Sequence, residues 1–144
     1  MLSVVDATLV IFFDGKVHRN AAPFARKQGM QLASKMRFIA SQFLALLEND
    51  RWLTYAAHAN AMTKRLEERT RRIGGVRITR PVHCNAIFAT FDRKAIQSIQ
   101  QRCYFYVFDE ALPEVRWMTH HATTEADVDA FANLIAMSVA GPTC

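Results

Sequence analysis

A pair of glycines, Gly74–Gly75, divides this sequence into two hydrophobic rhythms, and that division constrains the fold more than any other feature. Before the pair, apolar residues return every three or four positions, the period of a helix with one buried stripe. After it they alternate, or cluster in short runs bounded by Pro, Asp and Asn, as strands do. A chain that reads helix first and mainly strand afterwards belongs to the α+β class. Long N-terminal helices are followed by a small, mainly antiparallel sheet with helices packed on it.

In the first part, the pattern becomes helical from about Val17 and breaks near Gly29. Met36, Ile39, Ala40, Phe43, Leu44 and Leu47 predict a helix over roughly residues 31–48. Ser34 reads as a local cap, since no base stands near it to make it a nucleophile. Asn49 can end that helix and Asp50 can N-cap the next. The next helix places Leu53, Ala56, Ala57, Asn60, Ala61 and Leu66 on one stripe, whose small residues point to close packing against its predecessor. Residues 1–13 end in "VIFFDG" and read as a strand and turn, oddly apolar for an opening element because such a strand wants neighbours on both sides.

In the second part, "VRIT", "NAIFATF", "YFYVF" and "PEVRWMTHH" read as four strands. Asp92 caps a short helix between the second and third, through about Gln101. Thr123 or Thr124 opens the last helix, with Glu125 and Asp127 placed in its first turn, where the dipole favours acids. Val128, Phe131, Leu134 and Ile135 form its apolar stripe. Aromatics in "YFYVF" read as core.

Composition excludes several classes. The 144 residues fit one domain, and 51% apolar with 22% charged residues is globular composition. No apolar run is long enough to span a bilayer, and the start lacks the basic and small-residue signals of a secretory leader, so a soluble, cytoplasmic protein with no membrane partner is expected. Cys84, Cys103 and Cys144 are odd in number and share no metal-like spacing, which predicts free thiols, buried except for Cys144 at the exposed end. The net charge of +5 sits largely in "TKRLEERTRRIGG", where Glu67 and Glu68 interrupt the cations, a pattern of a solvated helix face rather than a nucleic-acid surface.

Arg116 is the main candidate for chemistry. Val115 and Trp117 share one face of their strand, and Arg116 and Met118 the other. An arginine in an apolar strand must be satisfied, and its planar fork suits a carboxylate. That carboxylate is either structural, with Glu110 or Asp109 the candidates, or belongs to a ligand. Arg37 follows Lys35 near a helix start, where backbone donors attract anions; a solvated basic turn is the alternative. His120 and His121, adjacent on a strand, point to opposite faces and cannot easily hold one metal ion together. No metal site is expected. His58 and His83 read as packing or surface residues, and Asn85 as a side chain that satisfies backbone groups.

"QLASKMRF", "AAHANAM", "NAIFA" and "VRWMT" occur in an order and spacing that resemble low-specificity L-threonine aldolase, a family of fold-type I pyridoxal-phosphate enzymes in the β-eliminating lyase group. The resemblance runs from about Val10 to about Met137 and implies the C-terminal part of such an enzyme. Residues 1–15 would be a remnant strand of a large domain, and residues 16–144 the small domain with its leading helices. The resemblance implies that Arg116 binds the substrate α-carboxylate and that Arg37 meets the phosphate of pyridoxal 5'-phosphate from a neighbouring subunit of a homo-oligomer. The family's Schiff-base lysine would fall at about Met1, which cannot form an imine, so no catalytic residue is expected in this chain. The implied reaction is cleavage of a small β-hydroxy amino acid, L-threonine or L-allo-threonine, to glycine and acetaldehyde. A non-catalytic interaction or oligomerisation module is the alternative.

Overall fold

The computed structural model describes residues 20–32, 34–109 and 111–141, so the expected strand over 1–13 and the boundary at residue 15 lie outside the described residues. The chain falls into two compact units, Met1–Arg51 and Trp52–Cys144.

In the first unit, α1 (Ala22–Gln28) starts with a proline in its first turn and closes at Gly29, whose N–H reaches Ala25 O at 2.8 Å. Helix α2 (Met36–Leu47) starts later than the periodicity predicts. Lys35 is left-handed, at φ 60°, so the helix cannot extend back through it, and no side chain caps the start. Ser34 is therefore not the cap. After α2 comes a 3-10 turn, Glu48–Asp50, in which Asn49 is left-handed at φ 55°, as a helix-ending residue should be. Asp50 also has positive φ, 53°, so it lacks the extended backbone of an N-cap. No residue of α1 or α2 is buried.

The second unit takes in helix α3 (Arg51–Thr70) from Trp52 onward. Its buried stripe is Ala59, Met62, Thr63, Leu66 and Thr70. Of the expected stripe only Leu66 is buried; Leu53, Ala56, Ala57, Asn60 and Ala61 are exposed. The difference has a physical cause. Thr63 donates to Ala59 O and meets the Thr119 hydroxyl at 2.6 Å, and Thr70 donates to Leu66 O at 2.8 Å. A threonine satisfied by the carbonyl a turn back packs like an apolar residue, which hydropathy does not register. Gly75, at φ 86°, then turns the chain, and a Cβ there would lie 3.0 Å from Val139 Cγ1.

Four strands follow: β1 (Arg77–Ile78), β2 (Ala86–Thr90), β3 (Tyr106–Asp109) and β4 (Glu114–Met118). They form one antiparallel sheet in the order β1-β2-β4-β3. Helix α4 (Arg93–Gln100) is capped by Asp92, which accepts from the N–H groups of Lys94 and Ala95. Helix α5 (Glu125–Ala140) starts with a reciprocal box between Thr124 and Asp127. Helices α3, α4 and α5 and one face of the sheet share one core, which includes Leu66, Ile87, Ile99, Val115, Trp117 and Ile135. The α+β expectation and the antiparallel sheet hold.

The basic run is only in part a solvated face. Arg65 grips Asp129 of α5 through two bonds of 3.0 and 2.8 Å, Arg69 adds one of 2.7 Å, and Arg65 also reaches Glu125 at 3.0 Å. Cys84 and Cys103 are free but exposed rather than buried, since both fall in connections that leave the sheet's rim. Among the described residues, no helix is long and apolar enough to cross a membrane.

Candidate functional site

The site is built on β4. Its alternation puts Val115, fully buried, and Trp117 into the core, and turns Glu114, Arg116 and Met118 to the other face. Register then supplies their neighbours. Arg116 stands opposite Phe88 of β2 and Tyr106 of β3, and Glu114 stands opposite Thr90. The Arg116 guanidinium carbon lies 5.4 Å from the Tyr106 ring centroid, a cation–π contact that fixes the plane of the fork.

Arg116 is half-buried, and its Nε is buried without a hydrogen-bond partner. The two acids nearest in sequence among the described residues are engaged elsewhere. The Asp109 carboxylate accepts from the N–H groups of Ala111 and Leu112, closing its own turn. Glu114 accepts from Arg80 at 2.7 Å and from the Thr79 hydroxyl at 2.5 Å. Glu110, the other candidate, lies outside the described residues. A buried guanidinium nitrogen with no acceptor is costly, and an acceptor such as a carboxylate beside it would relieve that cost.

Arg80 completes the face. Its guanidinium carbon sits 4.0 Å from the Phe88 centroid and 4.8 Å from that of Phe108, and the two rings meet edge-on at 5.0 Å. Tyr106 and Phe108 are therefore exposed on this face, while Phe105 of "YFYVF" enters the core and Val107 packs against it. Sequence reasoning missed Arg80, Phe88 and Tyr106 as companions of Arg116. Alternation alone could have put Phe88 and Tyr106 on one face or the other, but choosing between them needed the register.

Arg37 is the second residue of α2, in the first unit. It is exposed, with its guanidinium carbon 5.0 Å from the Phe38 ring centroid. The histidines do local work. His58 Nε2 donates to Thr123 O at 2.8 Å, His120 Nδ1 accepts from Ala122 N, and His121 packs against Tyr55 at 4.9 Å. Asn85 ties β2 to the end of β4 by donating to Thr119 O, and it accepts from Thr119 N through its own carbonyl. Among the described residues, no group of three or more His, Cys, Asp or Glu could hold a metal ion.

One electrostatic shift touches this face: burial, and then its neighbour Tyr106, raise the Tyr104 hydroxyl above its ordinary range. The others fall on the helices and their caps. The hydrogen bond from Arg65 holds the Asp129 carboxyl below the usual carboxylate range, and the same bond raises the Arg65 guanidinium. The Thr124 hydroxyl and N–H lower Asp127.

Pyridoxal phosphate, which the resemblance implies, requires an amine for its aldehyde and a cradle for its phosphate. The four strands carry no lysine, and Lys27, Lys35, Lys64 and Lys94 are all exposed on helices or their caps. Arg37 offers one guanidinium at an uncapped, exposed helix start. The described residues of this chain do not assemble that cofactor's site. What they do present is a half-buried guanidinium whose Nε has no hydrogen-bond partner.

No family model matches the chain. Over 124 residues, 85% of its length, it is 34% identical to a low specificity L-threonine aldolase of Pseudomonas sp.. Over 83 residues, 57% of its length, it is 41% identical to a protein of the same name from Pseudomonas aeruginosa. The chain spans 35% and 24% of the length of these relatives. Its fold matches Leishmania major threonine aldolase with a TM-score of 0.71, over 80% of this chain and 34% of that one, at 22% identity.

Proposed function

We propose that this chain, which is threonine-aldolase-like over most of its length, contributes the carboxylate-docking part of an amino-acid lyase. The family reaction would be pyridoxal-phosphate-dependent cleavage of L-threonine or L-allo-threonine to glycine and acetaldehyde. One observation carries the reading: Arg116 Nε is buried, unpartnered, and set beside a ring that orients its fork. Two parallel charge-assisted hydrogen bonds to an α-carboxylate would satisfy it and fix the orientation of the amino acid.

The cofactor, when bound, supplies an electron sink for the bond cleaved at Cα. This chain's part is positioning. Arg116 would hold the carboxylate, with Tyr106 and Phe88 opposite it in the sheet, and Arg37 would supply a cation toward the cofactor phosphate in an assembled oligomer. The chain alone is expected to release no acetaldehyde from L-threonine, because no lysine stands on the strands that carry Arg116.

Titration of the chain with glycine, followed through the Arg116 side-chain Nε–H resonance, tests the docking role. Saturable movement of that signal supports it. A resonance that ignores glycine and L-threonine at high millimolar concentration removes it.

A second reading, association with a further copy of this chain, draws on a separate observation. Helix α2 leaves Phe38, Leu44 and Leu47 exposed, more apolar area than one helix normally shows to water. Light scattering decides it: a dimer or larger species dispersed by Leu44→Glu supports association, and a monomer at high concentration refutes it.

A further inference from the structure

We infer that Arg80 is a positioning residue that keeps the fork of Arg116 open by holding Glu114 away from it. The inference rests on the carboxylate-docking reading and deepens it. Glu114 and Arg116 are two apart on β4 and share its open face, so their Cα atoms are about 6.6 Å apart, within reach of two long side chains. Glu114 is 8% exposed, and a buried carboxylate needs a cationic partner. The one it has is Arg80, at 2.7 Å, with the Thr79 hydroxyl beside it.

The geometry shows why this partner wins. Arg80 is exposed at its edge but has its guanidinium carbon 4.0 and 4.8 Å from the Phe88 and Phe108 ring centroids, and these contacts hold it over the rings. Phe88 is also the residue opposite Arg116. Arg80 is thus held on the Phe88 and Phe108 rings while Arg116 lies over Tyr106, which keeps the two guanidinium groups as separate positions on one face. Each cation has its own acid: the internal Glu114 for Arg80, and an external carboxylate for Arg116. Remove Arg80, and the nearest remaining cation along the strand is Arg116. Glu114 would then close the fork from within and compete with the ligand.

The experiment compares the parent chain with Arg80→Met and with the double variant Arg80→Met/Glu114→Gln. The Arg116 Nε–H resonance is read first without ligand and then through a glycine titration. In Arg80→Met the ligand-free resonance is expected to move to the position of a carboxylate-bonded arginine, and glycine affinity to fall by about tenfold, as one competing charge-assisted pair implies. In the double variant the resonance and the affinity are both expected to return toward the parent, because glutamine cannot form the ion pair. A ligand-free resonance unchanged in Arg80→Met overturns the inference. So does an affinity loss that Glu114→Gln fails to rescue, since that marks a merely structural role for Arg80. If Arg80→Met does not fold, the double variant, which removes the orphaned buried charge, carries the same comparison against Glu114→Gln alone through the ligand-free resonance. There the inference requires the two to coincide, and a difference overturns it. Should the parent itself ignore glycine, the docking reading fails, while the ligand-free shift still decides whether Arg80 holds Glu114 off Arg116.

Discussion

Trp117 and Arg116 are neighbours on β4, separated only by the pleat, yet they answer to different demands. Trp117 is 2% exposed and ringed by Phe91, Phe105 and Phe131 at centroid distances of 5.7, 6.4 and 5.6 Å. Every described group around it comes from the protein's own core. Arg116 is half-buried on the opposite face, beside exposed Tyr106 and Phe108. Both side chains bury a nitrogen with no hydrogen-bond partner. The Trp117 indole is neutral and closed in by rings, so its orphan is a modest, fixed cost. The Arg116 guanidinium is charged and borders an open face, so its cost can be relieved from outside. The packed face stabilises the unit, and the open face leaves one guanidinium nitrogen without a hydrogen-bond partner.

Two substitutions would break that contrast if it is mistaken. Trp117→Ala is expected to destabilise the unit by about 3–5 kcal/mol through lost transfer energy and a cavity, measured by urea unfolding. Arg116→Met, one residue away, should change stability by less than about 1 kcal/mol, since it removes a half-buried nitrogen with no hydrogen-bond partner and keeps an apolar stem. On the proposed docking role its effect falls on binding: loss of a bidentate pair should weaken glycine roughly a hundredfold, or ~3 kcal/mol. If Arg116→Met unfolds the unit as Trp117→Ala does, Arg116 is structural and the two faces do not differ in kind.

Much of this contrast was legible before any coordinates. Period-two alternation placed Val115 and Trp117 against Arg116 and Met118, and Asp92 and Thr124 announced their helices through capping chemistry. The exposed face itself was not legible. "YFYVF" has the composition of a core strand, and only the register beside β4 shows Tyr106 and Phe108 turned outward. Nor could the pairing of Arg80 with Glu114 be read, because it joins residues 34 apart through a sheet order that skips a strand. On α3, composition misled outright. Alanines marked a close-packed stripe, while the buried stripe carries Thr63 and Thr70, whose hydroxyls are satisfied locally.

The packed face also depends on the helix that covers it. The Thr124 hydroxyl accepts from Asp127 N at 3.1 Å, and Asp127 accepts in return from Thr124 N at 2.9 Å. Thr124→Ala should cost ~1 kcal/mol of unfolding free energy and leave glycine binding at Arg116 unchanged. A loss of binding along with stability would mean that the open face feels the packing behind it. The two surfaces would then be one coupled structure.

The smallest expected effect concerns acid, and it separates the faces by a different variable. Asp129 of α5 is bound by Arg65 and Arg69 of α3, and the hydrogen bond from Arg65, chief among its neighbours' influences, lowers its carboxyl. A carboxyl whose folded value lies below its unfolded value, about 4, binds its proton more readily when the chain unfolds. The stabilisation is therefore fully present above that unfolded value and is lost as pH falls through the folded one. Because the groups are accessible to water, salt and solvent reduce the effect. Unfolding of the parent and of Asp129→Asn, followed from neutral pH down into the acid range, should show a stability gap that narrows with acid and also with added salt. A gap that stays constant with pH would mean that packing, not the ion cluster, ties α5 to α3. Acid would then reach the packed face only through general charge repulsion.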